Sequence, residues 1–217
     1  MSRAISATER AYNATRGKIL DGALAGGDVI TEGAVSTELG ISRTPVREAF
    51  LRLQAEGLLQ LYPKRGAVVV PVTAEEALSV GEAREIIESF AVTKLLSESP
   101  EPPAELVDRL WECLNAQRQA IRAHNASAFI DADTSFHLAI VELSENDFFF
   151  DLYKSLRDHQ RRLAVHAGAL TPANMTASYN EHVKLAGLLS EGELDGYLAF
   201  LRKHLREGRK RMGVDMV

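Results

Sequence analysis

The potential metal ligands of this 217-residue chain include six histidines and one cysteine, and several of these side chains interrupt apolar stripes. One predicted helix carries Phe129, Asp133, Phe136, Ile140 and Leu143 as its inward stripe, with His137 four residues beyond the aspartate. A carboxylate at a core position is costly unless it is paired or metal-bound, and an Asp and a His at i, i+4 offer two ligands from one helix face. A later stripe reads Met175, Tyr179, His182, Ala186, Leu189, and the last reads Leu194, Tyr197, Leu201, His204, Gly208. One carboxylate and three neutral imidazoles suit zinc or another first-row divalent ion. His159 and His166 also fall on a stripe (Leu152, Leu156, His159, Leu163, His166). Spacing alone therefore does not choose among five inward histidines, and a hydrogen-bonded core network or a contact between two copies is the competing reading. Arg84 lies on the stripe Val80, Arg84, Ile87, Ala91, Leu95. It is either an ordinary i, i+4 partner of Glu88, worth a few tenths of a kcal/mol if exposed, or a fork for a ligand carboxylate.

A second constellation lies near the N-terminus. Ser42, Arg43 and Thr44 stand at the start of a predicted helix with a buried face of Val46, Ala49, Phe50 and Leu53. Arg47 lies one turn beyond Arg43, on the face those residues leave free. Helix-start N–H groups and hydroxyls bind phosphate, and an arginine in the major groove can take guanine O6 and N7 together. Lys64, Arg65 and Gly66 form a predicted hairpin tip, where charge and close backbone approach suit a wing on phosphate or in the minor groove. The alternative is a solvated charged face with Glu48 as a chance neighbour.

The elements that must position these groups divide near Pro71–Thr73. Residues 1–73 hold nine basic and seven acidic side chains, a net +2, and the remainder carries −7, within a total of −5. A uniformly basic nucleic-acid coat is excluded, whereas a local basic patch is not. The first part reads helix (Thr8 to Ala25, ended by Gly26-Gly27-Asp28), short helix (Glu32 to Leu39, capped by Thr31), helix capped by Ser42, then β-runs Leu59–Tyr62 and Ala67–Val70. That order is a helix-turn-helix followed by a wing. The second part reads as six amphipathic helices: Ala74–Ser97, Pro103–Ala123, Ala126–Leu143, Asp147–Ala167, Pro172–Leu189 and Glu193–Met212. Breaks fall at Pro100 and Pro102-Pro103 and at later turn residues. The expected fold is mainly α, an N-terminal winged helix-turn-helix (8–71) and a C-terminal six-helix antiparallel bundle (74–213). Cys113 stands alone, which points to a reducing cytoplasm. The apolar runs are far below the roughly 20 residues of a membrane helix, and the polar stretch Met1 to Leu20 lacks the core of a secretory signal.

The run Leu39-Gly40-Ile41-Ser42-Arg43-Thr44-Pro45-Val46-Arg47-Glu48-Ala49-Phe50-Leu51-Arg52-Leu53, with Glu56-Gly57-Leu58-Leu59 and Arg65-Gly66-Ala67, resembles the winged helix of GntR-family bacterial transcription regulators. The resemblance implies operator contacts by Arg43, Thr44, Arg47 and Gly66. The family often has a DNA-contacting arginine where this chain has Gly33, which implies one contact fewer. The helical part resembles the FCD effector domain of the FadR branch, in its shorter VanR-like subgroup. Asp133-Thr134-Ser135-Phe136-His137 is similar to the D-x-x-F-H element, Glu181-His182 and His204 to the later histidines, and Arg84 with Glu88 to R-x-x-x-E. This implies metal ligation by Asp133, His137, His182 and His204, and Arg84 beside an acidic effector.

The reading is a homodimeric regulator of double-stranded operator DNA, expected to be a repressor and not an enzyme. It is expected to be controlled by a small carboxylic acid at a zinc, nickel or manganese ion. The proposed DNA-contacting set is Ser42, Arg43, Thr44, Arg47, Lys64, Arg65 and Gly66. A metal-dependent hydrolase or lyase, with Glu181 as base, is the rival; a metal-stabilised helical adaptor without an effector is a third reading.

Overall fold

A computed structural model describes residues 5–99 and 101–214. The predicted break at Pro100 and the first four residues of the polar N-terminal stretch lie outside the described residues. The chain forms two compact units that divide between Thr73 and Ala74.

The first unit contains α1 (Ala7–Leu20), β1 (Val29–Ile30), α2 (Glu32–Leu39), α3 (Arg43–Ala55), β2 (Leu59–Tyr62) and β3 (Gly66–Val69). Helix α1 stops five residues before its expected end. Gly22 turns left-handed at φ 76°, and the Leu24 N–H closes on the Lys18 carbonyl at 2.9 Å, satisfying a terminal acceptor. The Thr31 hydroxyl accepts from the Ala34 N–H at 3.1 Å and Gly40 ends α2 at φ 63°, so the tight turn into α3 is fixed from both sides. Ser42 occupies the N-cap of α3, but its side chain makes no capping bond. The expected side-chain cap is thus absent, and the hydroxyl stays exposed beside the helix start.

The sheet is antiparallel in the order β1-β3-β2. Strand β1 was not expected: two residues carry no readable period. Gly66 has φ 99°, and a Cβ there would collide with the Ile30 carbonyl. Glycine is required where β3 meets the end of β1, independently of any DNA contact. Val46, Phe50, Leu53, Leu58 and Ile19 pack the core beneath the sheet and helices.

The second unit contains α4 (Ala74–Glu98), α5 (Ala104–Arg122), α6 (Ala126–Glu142), α7 (Asp147–His166), α8 (Pro172–Ser190) and α9 (Leu194–Arg211). Every boundary lies within one residue of the sequence expectation. Asn125, Asn146 and Thr171 cap α6, α7 and α8 through the N–H groups of Ala128, Phe149 and Asn174, which is why these breaks were legible. Helix α6 packs on α4, α5 and α7, while α8 packs on α5 and α9, and α9 on α4. Leu110, Phe136, Ile140, Leu185, Tyr197 and Leu201 form the main core. No helix among the described residues is long and apolar enough to cross a membrane.

Candidate functional site

Helices α6, α8 and α9 bring His137, His182 and His204 together. Their available ligand atoms lie within 4.8 Å of one another, and all three residues are buried. The outer nitrogens are held in one pattern. His137 Nδ1 donates to Glu88 Oε2 at 2.8 Å, His182 Nδ1 to Gln117 Oε1 at 2.9 Å, and His204 Nδ1 to Glu181 Oε2 at 2.7 Å. With each proton committed outward, the Nε2 lone pairs face inward. His137 Nε2 and His182 Nε2 are 3.2 Å apart, a spacing that suits two imidazoles on one ion about 2 Å from each. Oriented rings, outer oxygen partners and converging lone pairs are what a divalent first-row metal requires, so the residues present fit such a group. The His182 ring stacks on Phe136 with centroids 4.9 Å apart, which fixes its plane.

Burial lowers the pKa of His182, and His204 and His137 nearby push it further down. Burial also lowers that of His204, outweighing the opposing Glu181 hydrogen bond. Both rings are therefore held in the neutral, ligating form. Burial would raise the Glu181 carboxyl, but hydrogen bonds from Arg211 and His204 hold it at about 2. Glu181 is engaged on both oxygens and serves as a partner of His204 rather than as the base of the rival enzyme reading.

Asp133 is not the core residue its stripe suggested. Its side chain is 25% exposed, with Oδ1 3.5 Å from His182 Nε2, so it stands at the open side of the histidine cluster. His159 and His166 do not join the cluster. His159 Nδ1 pairs with Glu76 Oε1 at 2.5 Å, part-buried, and His166 is exposed near the end of α7. His159 is held by Glu76 instead, and the α7 stripe is covered only in part: Leu163 is buried, whereas Leu152 and His166 at its two ends are exposed.

The Arg84–Glu88 pair is internal, not a surface bridge. Arg84 Nε donates to Glu88 Oε1 at 2.9 Å and lies 3.2 Å from the Tyr153 hydroxyl, which donates to the same carboxylate at 2.8 Å. Burial would raise the Glu88 carboxyl, yet His137 and Arg84 beside it hold it well below the usual carboxylate range. One carboxylate thus positions both a histidine and an arginine. Arg84 Nη2 remains buried without a partner. A cavity of about 130 Å³ opens here, lined by Arg84, Asp133, His204, Gln160, Arg209 and Arg211 with apolar side chains between them. Gln117, Tyr153 and Glu181 were missed as supporting residues. Gln117 and Glu181 carried a signal, Gln117 as the polar member of the α5 stripe Leu106, Leu110, Cys113, Gln117, Ile121 and Glu181 as the neighbour of His182; Tyr153 carried none.

In the first unit, Ser42, Arg43, Thr44 and Arg47 are all exposed at the start of α3, as are Lys64 and Arg65 in the β2–β3 turn, while Gly66 is partly buried. Glu48 accepts from the Thr8 hydroxyl at 2.8 Å, so it is not a partner holding Arg47. The Arg43 guanidinium lies over Gly33, its Nη2 3.5 Å from where a Cβ would stand. The missing side chain at position 33 is the space Arg43 uses.

A winged helix on one unit and an all-helical bundle with a buried histidine triad on the other define a transcription regulator of the helix-turn-helix class. Residues 7–69 match the bacterial regulatory proteins of the gntR family, and residues 79–207 match the FCD domain; the chain belongs to the GntR family, with an FCD domain. It is 29% identical over 199 residues (90% of this chain, 80% of the other) to an uncharacterized HTH-type transcriptional regulator in an unstable DNA locus of Streptomyces ambofaciens. It is 25% identical over 200 residues (92% and 86%) to the HTH-type transcriptional repressor RspR of Escherichia coli strain K12. A solved putative GntR transcriptional regulator from Rhodococcus sp. RHA1 shares the fold, with a TM-score of 0.82 at 21% identity over 96% of this chain and 99% of that one. The family and these relatives are regulators, not enzymes, which removes the hydrolase or lyase alternative.

Proposed function

We propose that this regulator binds a palindromic operator as a homodimer, and that a small carboxylic acid held beside a divalent metal in the bundle controls its DNA affinity. The observation that carries the reading is the convergence of three Nε2 atoms next to a cavity walled by Arg84, whose Nη2 is unpartnered. His137, His182 and His204 would hold zinc, nickel or manganese, with Asp133 completing the set, and the metal would supply a positive centre for a ligand oxygen. Arg84 would fork the carboxylate. Glu88 keeps the arginine and His137 in place, and the apolar wall limits competition from water.

On the DNA side, Arg43, Thr44 and Arg47 would read the major groove from α3, with Ser42 at the helix start on phosphate and Lys64, Arg65 and Gly66 carrying the wing. Two such units need symmetry-related half-sites. Ile86 and Phe90 on α4, and Phe148 and Leu152 on α7, are large apolar side chains left exposed. Phe90 meets Phe149 edge-on where those two helices pack. A second copy is the occupant this surface suits. The effector acts by binding one arrangement of the dimer better than another. A relative named as a repressor supports repression as the direction of control; release of DNA on effector binding, in the cytoplasm, completes the proposed cycle.

The test is calorimetry with small hydroxy-, keto- and dicarboxylic acids on metal-loaded wild-type, Arg84→Lys and Asp133→Ala proteins. Binding should weaken in Arg84→Lys with metal content unchanged, since lysine lacks the planar fork. Equal affinity in all three proteins, or no metal after loading, overturns the reading.

A further inference from the structure

Three residues that line the same cavity each carry a buried N–H donor without a partner: Arg84 (Nη2) on α4, Gln160 (Nε2) on α7 and Arg209 (Nε) on α9. The remaining unpartnered buried atoms among the described residues are not on its wall. An unmet buried donor is destabilising, and three on residues of one cavity, where Asp133 is the lining carboxylate, suit the cavity to a ligand rich in oxygen acceptors.

Arg209 is the least explained of the three. It forms no ion pair among the described residues, whereas the neighbouring wall residue Arg211 is forked onto Glu181. Its seat is Gly81. A Cβ at Gly81 would lie 2.5 Å from Arg209 Nη1 and 3.1 Å from its Cδ. Gly81 sits inside the 25-residue helix α4, where glycine is the poorest former apart from proline. Its presence there is accounted for by the guanidinium it admits. Gly81 is also one turn before Arg84, so two arginines are placed at successive levels of α4. Arg84 has Glu88 as its counter-charge, whereas Arg209 has no carboxylate partner among the described residues, and an anion in the cavity would supply one.

Resting on the effector reading above, we propose that the ligand is a two-headed acid, a small dicarboxylate. One carboxylate would be taken at the Arg84 and histidine end, and the other by Arg209 and Gln160. The apolar side chains Val80, Ile130, Leu163, Leu170 and Met175 would enclose the carbon chain that joins the heads. Arg209 and Gln160 would then set specificity, and Gly81 would act as a positioning residue through Arg209.

The experiment is calorimetry on the full-length, metal-loaded protein with straight-chain dicarboxylates of four to six carbons, as an order of length, against monocarboxylates of equal length and a polyhydroxy monocarboxylate. In the wild type, the best dicarboxylate should bind at least tenfold tighter than its monocarboxylate counterpart. Arg209→Gln should reduce the dicarboxylate to the monocarboxylate level while leaving monocarboxylate affinity and metal content unchanged. Gly81→Ala should do the same without lowering the melting temperature, because alanine favours the helix and only the end of a flexible side chain must move. Monocarboxylates that bind as tightly as dicarboxylates, with Arg84 still required, overturn this proposal and leave the effector reading standing. So does tight binding of the polyhydroxy acid that ignores Arg209. If no acid of any kind binds, both readings fall.

Discussion

The start of α3 and the heart of the bundle both rely on clustered basic or metal-binding groups, yet they treat them oppositely. Arg43 and Arg47 project from α3 into solvent, with Val46 and Phe50 fully buried behind them. His137 is 1% exposed, and Glu88, which holds it and Arg84, is 0% exposed. The difference follows from the partner. A polyanion brings its own dense charge and must be reached across an open surface, where counterion release supplies affinity. A small ligand offers few contacts, so its site must be oriented in advance and shielded from water. The exposed face should therefore behave as separable residues, and the buried site as one network.

The strongest test of that contrast is Glu88→Ala. It removes the acceptor of His137, Arg84 and Tyr153 at once and leaves a buried guanidinium uncompensated. Breaking a buried charge pair from one side costs about 3–5 kcal/mol. Trp111, the sole tryptophan, lies on α5 and reports the bundle directly. Urea unfolding followed by its fluorescence should show the loss. A variant as stable as wild type would mean the network is not holding the site.

Arg47→Ala tests the other side. Operator binding should weaken by about 1–3 kcal/mol if the side chain reads a base, measured by anisotropy on a selected operator. The melting temperature should stay put, since an exposed substitution away from special features is usually within ±0.5 kcal/mol. Unchanged DNA affinity in Arg43→Ala/Arg47→Ala protein would show that α3 is not the recognition helix.

How much was legible in the sequence follows the same division. The bundle helices were readable to within a residue because Asn125, Asn146 and Thr171 announce their starts and the stripes keep a 3.6 period. The winged helix was readable in order, but β1 and the early end of α1 were not. A two-residue strand has no period, and Gly22 stops α1 before Gly26 and Gly27 come into play. At the site, periodicity placed His137, His182 and His204 inside but could not reject His159 and His166. Inwardness depends on whether another helix covers that turn, and that is a tertiary fact. The outer partners Gln117, Glu181 and Tyr153 come from three separate helices, so no local spacing could reveal them together.

Acid should separate the two units next. The pKa values of His182 and His204 are lowered in the fold, so below the unfolded value of about 6.5 the unfolded chain takes up protons that the folded bundle does not. Their stabilising contribution is fully present above that pH and is lost as pH falls below it. The slope approaches about 1.4 kcal/mol per pH unit for each histidine. Glu181, held at about 2, adds a further loss only between its unfolded range near 4.5 and about 2. Metal-free protein melted from pH 7.5 to 5 should show the tryptophan-reported transition falling steadily. A flat profile over that range would mean the histidines are not buried neutral.

The smallest expected effect is at the wing. Arg65 is exposed in the β2–β3 turn, beside Lys64 at φ 62°, and its backbone N–H donates to the Tyr62 carbonyl at 3.1 Å. The turn is thus closed by backbone, and Arg65→Ala should leave the hairpin intact. If the side chain meets a phosphate, its removal takes away one released counterion, so the slope of log affinity against log salt should become shallower by about 0.9. The weakening should be the same on operator and on random DNA, because a phosphate contact carries no sequence information. Titrations on both DNAs across a range of salt resolve this. A loss confined to the operator would place Arg65 among the base-reading residues with Arg47, and the wing would then share the role assigned here to α3 alone.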